Sequence, residues 1–143
     1  MDRVFPALER RFKANRQLVR WARRLYHGHQ GELVKTVRAH VEVTCTDIDH
    51  DFDTFDSSQP VYTLVFTVHT RDREATRAGE IMGAVRETFK DADLKASDFD
   101  TVRMLLTGGS GPVLDVDTGT YHASLTFALH VSLKVQSPVE PVV

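Results

Sequence analysis

The stretch VYTLVFTVHTRDREATRAGEIMGAVRETF, residues 61–89, changes its hydrophobic period midway. Tyr62, Leu64, Phe66 and Val68 alternate with Thr63, Val65, Thr67 and His69. A period of two places the two sets on opposite faces of a strand, and β-branched and aromatic residues suit that pleat. Further on, Ala75, Ala78, Ile81, Met82, Val85 and Phe89 fall on one helical stripe, with Arg77, Glu80, Arg86, Glu87 and Lys90 facing away. Thr70 or Asp72 is the expected helix cap, and Glu74 lies near the positive end of the dipole. Gly79 and Gly83 each cost up to about 1 kcal/mol relative to Ala, which predicts a close approach of this helix to the sheet.

Before this unit, Val37, Ala39, Val41 and Val43 alternate with Arg38, His40, Glu42 and Thr44, a half-buried strand. Upstream, Val4, Phe5, Leu8 and Phe12, then Leu18, Trp21, Ala22 and Leu25, recur at helical spacing. Pro6 is acceptable only in a first turn, so the helix should begin near Asp2 or Arg3. KANRQ, residues 13–17, is a candidate break, and HGHQG, residues 27–31, a stop. Residues 1–26 thus form a basic helical segment.

After the unit, Val102, Met104 and Leu106 mark a strand, TGGSGP (107–112) reads as a turn, and Leu114 and Val116 open a hairpin arm. From Tyr121 to Val135 the alternation is unbroken. Fifteen extended residues span roughly 50 Å, whereas a compact domain of this length is roughly 37 Å across. This strand must bend or project. Residues 136–143 read as a loose tail. The fold class expected is α+β: an antiparallel or mixed β-sheet of four to five strands, helices packed on one face, and a long C-terminal β-hairpin.

Bulk properties exclude several functions. A chain of 143 residues fits a single domain, 1–143, able to bury roughly 68–70% of its unfolded surface. A lone Cys45 forms no internal bridge, which points to a reducing compartment. Neither a signal peptide nor an apolar run of roughly 18 residues is present, so a soluble protein away from membranes is expected. Net charge is −2, divided as +7 over residues 1–40, −6 over residues 41–60 and −3 over the remainder. Such asymmetry can attract further copies of the chain head to tail.

The acidic belt contains DIDHDFDTFD, residues 47–56. As a calcium loop it fails in both registers. From Asp47, Phe52 replaces the required glycine and Ser58 the bidentate Glu; from Asp49, Thr54 and Pro60 do so. Period two gives a better account, with Asp47, Asp49, Asp51 and Asp53 on one wet face of a strand. None of the seven histidines stands at zinc-motif spacing; HGH and the pair His122/His130 are expected to be solvated. No G-x-S-x-G occurs, and GGSG (108–111) lacks the Lys and helix of a phosphate loop. No catalytic residue, metal or cofactor is expected. Trp21 and Tyr26 do not interleave with the basic face, so specific nucleic-acid recognition is not expected.

The strand ending in the acidic run of residues 47–53, followed by VYTLVFTVHTRDREATRAGEIMGAVRETF and closed by YHASLTFALHVSL, resembles the tail terminator (tail completion) proteins of long-tailed bacteriophages and their prophage or gene-transfer-agent relatives. The family's E-A-x-x-A-x-x-I-x-x-A-V helix is matched by Glu74, Ala75, Ala78, Ile81, Ala84 and Val85. The family's frequent Pro-aromatic opening of the first strand is VRAHVEV here. The resemblance covers most of residues 25–135. It implies a non-enzymatic virion protein of the tail or neck, assembled in the host cytoplasm. A homo-oligomer, a hexameric ring, would cap the tail tube, stop its polymerisation and meet a head-connector (neck) protein. DNA would pass through without specific binding. Asp47, Asp49, Asp51 and Asp53 would then face the channel. Arg16, Arg20, Arg23, Arg24, Leu114, Val116 and His122 are the candidate subunit-interface residues. The alternative is a small cytoplasmic α+β ligand-binding or dimerisation module without catalytic activity.

Overall fold

A computed structural model describes residues 1–54, 58–71, 75–96 and 99–133. In chain order the elements are α1 (Phe5–Ala14), α2 (Arg16–Ala22), β1 (Leu25–His27), α3 (Gly31–Thr36), β2 (Ala39–Asp49), β3 (Val61–Thr70), α4 (Ala75–Phe89), β4 (Lys95–Ala96), β5 (Phe99–Asp115) and β6 (Thr120–Leu133). The strands form one sheet in the order β1-β2-β3-β6-β5-β4. Among the described residues, only the β1–β2 pair is parallel. This is the expected α+β class with a mostly antiparallel sheet, enlarged to six strands by the short β1 and β4.

The core forms where the predicted apolar faces meet. Val41 and Val43 of β2, Leu64, Phe66 and Val68 of β3, and Leu125, Phe127 and Leu129 of β6 are buried. Over them lie Leu8 and Phe12 of α1, Leu18 of α2, and Ile81, Val85 and Phe89 of α4, in one contiguous cluster. Phe66 anchors it, with ring centroids 4.6 Å from Phe89 and 5.5 Å from Phe127. Burial of each such ring removes a large apolar surface from water, and the tilted and edge-to-face pairings add a further ~1 kcal/mol.

The expected break in the N-terminal segment lies at Asn15. Its carboxamide oxygen accepts from the amides of Gln17 (3.0 Å) and Leu18 (3.3 Å), capping α2. Its Nδ2 donates to Thr88 Oγ1 at 2.8 Å, tying the break to α4. Pro6 sits in the first turn of α1 as its missing N–H demands, although α1 starts at Phe5, after a turn, and not at Asp2 or Arg3. The basic helical segment is shorter than residues 1–26. Arg23 takes φ 62°, which ends α2, and buried Leu25 enters the sheet in β1.

Three other expectations change. TGGSGP is no turn, because β5 runs through it as one strand of 17 residues. Register shifts at Thr101/Arg103, Leu106/Gly108 and Ser110/Val113 absorb the extra residues and bend the strand. Gly109 is required there, since a Cβ would lie 2.9 Å from the Ser124 carbonyl oxygen and 3.0 Å from Leu125 Cδ2. Gly79 and Gly83 mark no close approach of α4 to the sheet: a Cβ at Gly83 would meet nothing within 4 Å, and one at Gly79 only Pro112, at 4.0 Å. The long last strand is flanked by β3 along residues 121–130, so only the tip of the hairpin extends past the end of β3. The candidate cap Asp72, the dipole-end residue Glu74, the strand positions 134–135 and the 136–143 tail lie outside the described residues.

Candidate functional site

The helices α1, α2 and α4 cover one face of the sheet. On the other, alternate residues of β2, β3 and β6 bring His40, His69 and His122 into direct register across three neighbouring strands. One step along β2 stands Glu42, whose carboxylate is only 5% exposed. It survives burial because four donors converge on it. Oε1 accepts from His29 Nδ1 (3.0 Å) and His69 Nε2 (3.1 Å); Oε2 accepts from His40 Nε2 (3.1 Å) and the amide of Gln30 (2.9 Å). A carboxylate has about four lone-pair sites, and all are used.

His29 and Gln30 reach this face because Gly28, at φ 85°, turns the chain out of β1 and over β2 before α3 begins. The Gly28 amide is held by the Val43 carbonyl at 2.9 Å. His40 and His69 stack at 4.6 Å with an 11° interplanar angle, Tyr26 meets His40 edge-on, and His122 lies 6.2 Å from His69. His40 is 2% exposed and His69 14%, whereas His29 is 70% exposed and forms the solvent side of the cluster. Burial pushes the Glu42 carboxyl up, but the hydrogen bonds from His40, His69, His29 and Gln30 outweigh it and hold the group well below the usual carboxylate range. The nearest ligating atoms of His29, Glu42 and His69 all lie within 4.8 Å of one another.

Of the histidines expected to be solvated, His29 is exposed and His122 half-buried, whereas the buried His40 and mostly buried His69 were not singled out by the sequence. Sequence spacing could not show the cluster, since its members come from the β1–α3 connection, β2 and β3. The available signal was that His40, Glu42, His69 and His122 all occupy polar slots of period-two strands that antiparallel pairing can align.

The acidic run does not share one face. β2 ends at Asp49, and Asp51 and Asp53 lie beyond it. There the amide of Asp51 donates to Asp49 Oδ1 at 2.8 Å, and His50 Nδ1 pairs with Asp53 Oδ2 at 3.0 Å. A bulge between Cys45 and Asp47 reverses the parity of β2, because Cys45 pairs with core-facing Leu64 but Asp47 with Thr63. Without it Asp47 and Asp49 would point into the helix-covered face. Arg16, Arg20, Arg23 and Arg24 are exposed on and just after α2; Arg24 sits over the Tyr26 ring at 5.1 Å and near Glu9 at 3.8 Å. Leu114 and Val116 lie at the hairpin tip, 47% and 84% exposed, and His122 is half-buried on the open sheet face. The structure thus groups the arginines on and just after α2, the apolar pair at the tip, and His122 with the histidine row.

A scan against protein families gives no match, and neither does a search of curated proteins. Among solved structures, the fold is similar to that of a chain in the virion of a native gene transfer agent particle. The TM-score is 0.72 and the identity 17%, over 88% of this chain and 93% of that one. At this identity the likeness establishes a shared fold.

Proposed function

We propose that this chain is a structural virion protein that caps a tail tube as a homo-oligomeric ring, ends tube polymerisation and forms the joining surface for the head. The observation that carries this reading is the fold shared, almost end to end, with a chain of a gene transfer agent virion. The tail terminator pattern in residues 61–89 supports the capping role among virion roles.

The free surfaces suit ring formation. Among the described residues, Lys95 and Ala96 pair with the outer edge of β5 and the Asp91 amide bonds the Met104 carbonyl, leaving the rest of this long strand without a neighbouring strand on that side. Next to that edge, Val113 (53% exposed), Leu114 and Val116 form an apolar tip. A second copy can add its own backbone along such an edge and cover the tip, a heterologous contact that closes by rotation. The arginines of α2 and the acids at the end of β2 supply opposite charges on separate parts of the subunit. In the ring, Asp47, Asp49, Asp51 and Asp53 line the channel, where negative charge repels phosphate and lets DNA slide. On this reading the chain is not an enzyme, and its partners are the tube protein and a head connector.

Deleting the gene in a producing strain tests the role: over-long tails without heads are expected, and normal tails joined to heads would refute it. Electron microscopy of the purified protein with its tube should show rings, and the double variant Leu114→Asp, Val116→Asp should abolish them without lowering the melting temperature. Dimers in place of rings would instead favour a small dimerisation module.

A further inference from the structure

We propose that His29, Glu42 and His69 form a binding site for one divalent transition-metal ion, with zinc as its best-fitting occupant. Metal binding at this site does not depend on the virion role. Two imidazoles and one carboxylate are a donor set that zinc accepts, leaving a fourth position for water or an external ligand. Zinc bonds of about 2.0–2.2 Å in a tetrahedral arrangement place neighbouring ligand atoms about 3.4 Å apart. Here His29 Nδ1 and His69 Nε2 stand 3.0 and 3.1 Å from Glu42 Oε1. Glu42 Oε1 therefore needs to part from each nitrogen by only a few tenths of an ångström, and the two nitrogens, within 4.8 Å of one another, complete the triangle around the ion.

The surroundings have the features of a built site. Glu42 Oε2 is held separately by His40 Nε2–H and the Gln30 amide, so the carboxylate stays oriented when Oε1 turns to a metal. His69 is fixed by its stack on His40. The exposed His29 supplies the entry side. Loading requires no redox step. On neutral rings, the proton on His29 Nδ1 moves to Nε2 and that on His69 Nε2 moves to Nδ1, through water, freeing one lone pair on each. The bound ion then clamps the β1–α3 connection onto β2 and β3. Without metal the same atoms make hydrogen bonds, so the fold persists in both states.

The test uses the full chain after treatment with EDTA, titrated with zinc chloride in a calorimeter, with cobalt(II) absorption as the coordination probe. One ion per chain, a melting temperature that rises with zinc and falls again with EDTA, and a tetrahedral cobalt spectrum are expected. His29→Ala, at an exposed position, should keep the fold and weaken zinc binding at least about tenfold. His130→Ala, at the opposite end of the open sheet face, should bind as the wild type does. Absence of zinc binding, or equal binding by His29→Ala and wild type, would overturn the site. A failure of either kind leaves the ring experiments above unaffected.

Discussion

Replacing Glu42 by Ala and by Gln should give very different results, and the contrast follows from its four donors. In Glu42→Ala the His29 ring, 70% exposed, finds water. His40 and His69, at 2% and 14% exposure, cannot do so easily. Each buried donor left unmatched costs about 1–3 kcal/mol, and the lost side chain adds roughly 1 kcal/mol of burial. The sum is about 4 kcal/mol, in the range of other broken buried polar pairs. In Glu42→Gln the carboxamide oxygen can face the Gln30 amide and His40. Its NH2 can then donate to His29 Nδ1 and His69 Nε2, because each imidazole can switch tautomer. Every group stays paired, only charge assistance is lost, and the cost should be about 1 kcal/mol. Urea unfolding in EDTA measures both. With a slope of about 2 kcal/mol per molar urea, the Ala midpoint should fall by about 2 M and the Gln midpoint by about 0.5 M. The pH dependence provides a second readout. Because the folded carboxyl titrates below its ordinary value of 4.5, the unfolded chain takes up the proton first as the solution is acidified. The stabilisation is complete above that pH and is lost progressively below it. Glu42→Gln should remove this part of the acid slope. A Glu42→Ala protein within about 1 kcal/mol of wild type, or a Gln variant as damaged as the Ala variant, would refute the reasoning.

Two further substitutions probe the frame around the site. Gly109→Ala should destabilise by about 1–3 kcal/mol in a thermal melt, because its Cβ would press on the Ser124 carbonyl oxygen and Leu125. Gly108→Ala, where nothing lies within 4 Å, should change the melting temperature far less. Asn15→Ala removes the α2 cap and the bond to Thr88 together and should lower stability by about 1–2 kcal/mol on chemical denaturation. A change confined to a few tenths of a kcal/mol would show that the break between α1 and α2 does not depend on its cap.

The elements most legible in the sequence were those with a long, uninterrupted period. β3 and β6 followed from strict alternation, and α4 from its apolar stripe, because one face of each had to be buried. The short elements β1, α3 and β4 were not legible. Leu25–His27 continues a helical pattern, and only the positive φ of Arg23 and the pairing with β2 make it a strand. The bulges of β5 were hidden for a related reason: glycines usually announce a turn, and the partner strand β6 alone determines that residues 107–112 stay extended.

The sequence by itself determined that the chain alternates strands and amphipathic helices, which faces are polar, and that its charges are segregated. Those properties are local, carried by period and composition. Tertiary structure decided which polar residues meet. His40, His69 and His122 became one row, and Glu42 gained four donors, only when β2, β3 and β6 took their register and Gly28 turned His29 and Gln30 back over the sheet. It also decided the fate of the acidic run, since one bulge reversed the parity of β2 and carried Asp47 and Asp49 away from the helix-covered face. Register is a relation between segments distant in sequence, and no single stretch contains it.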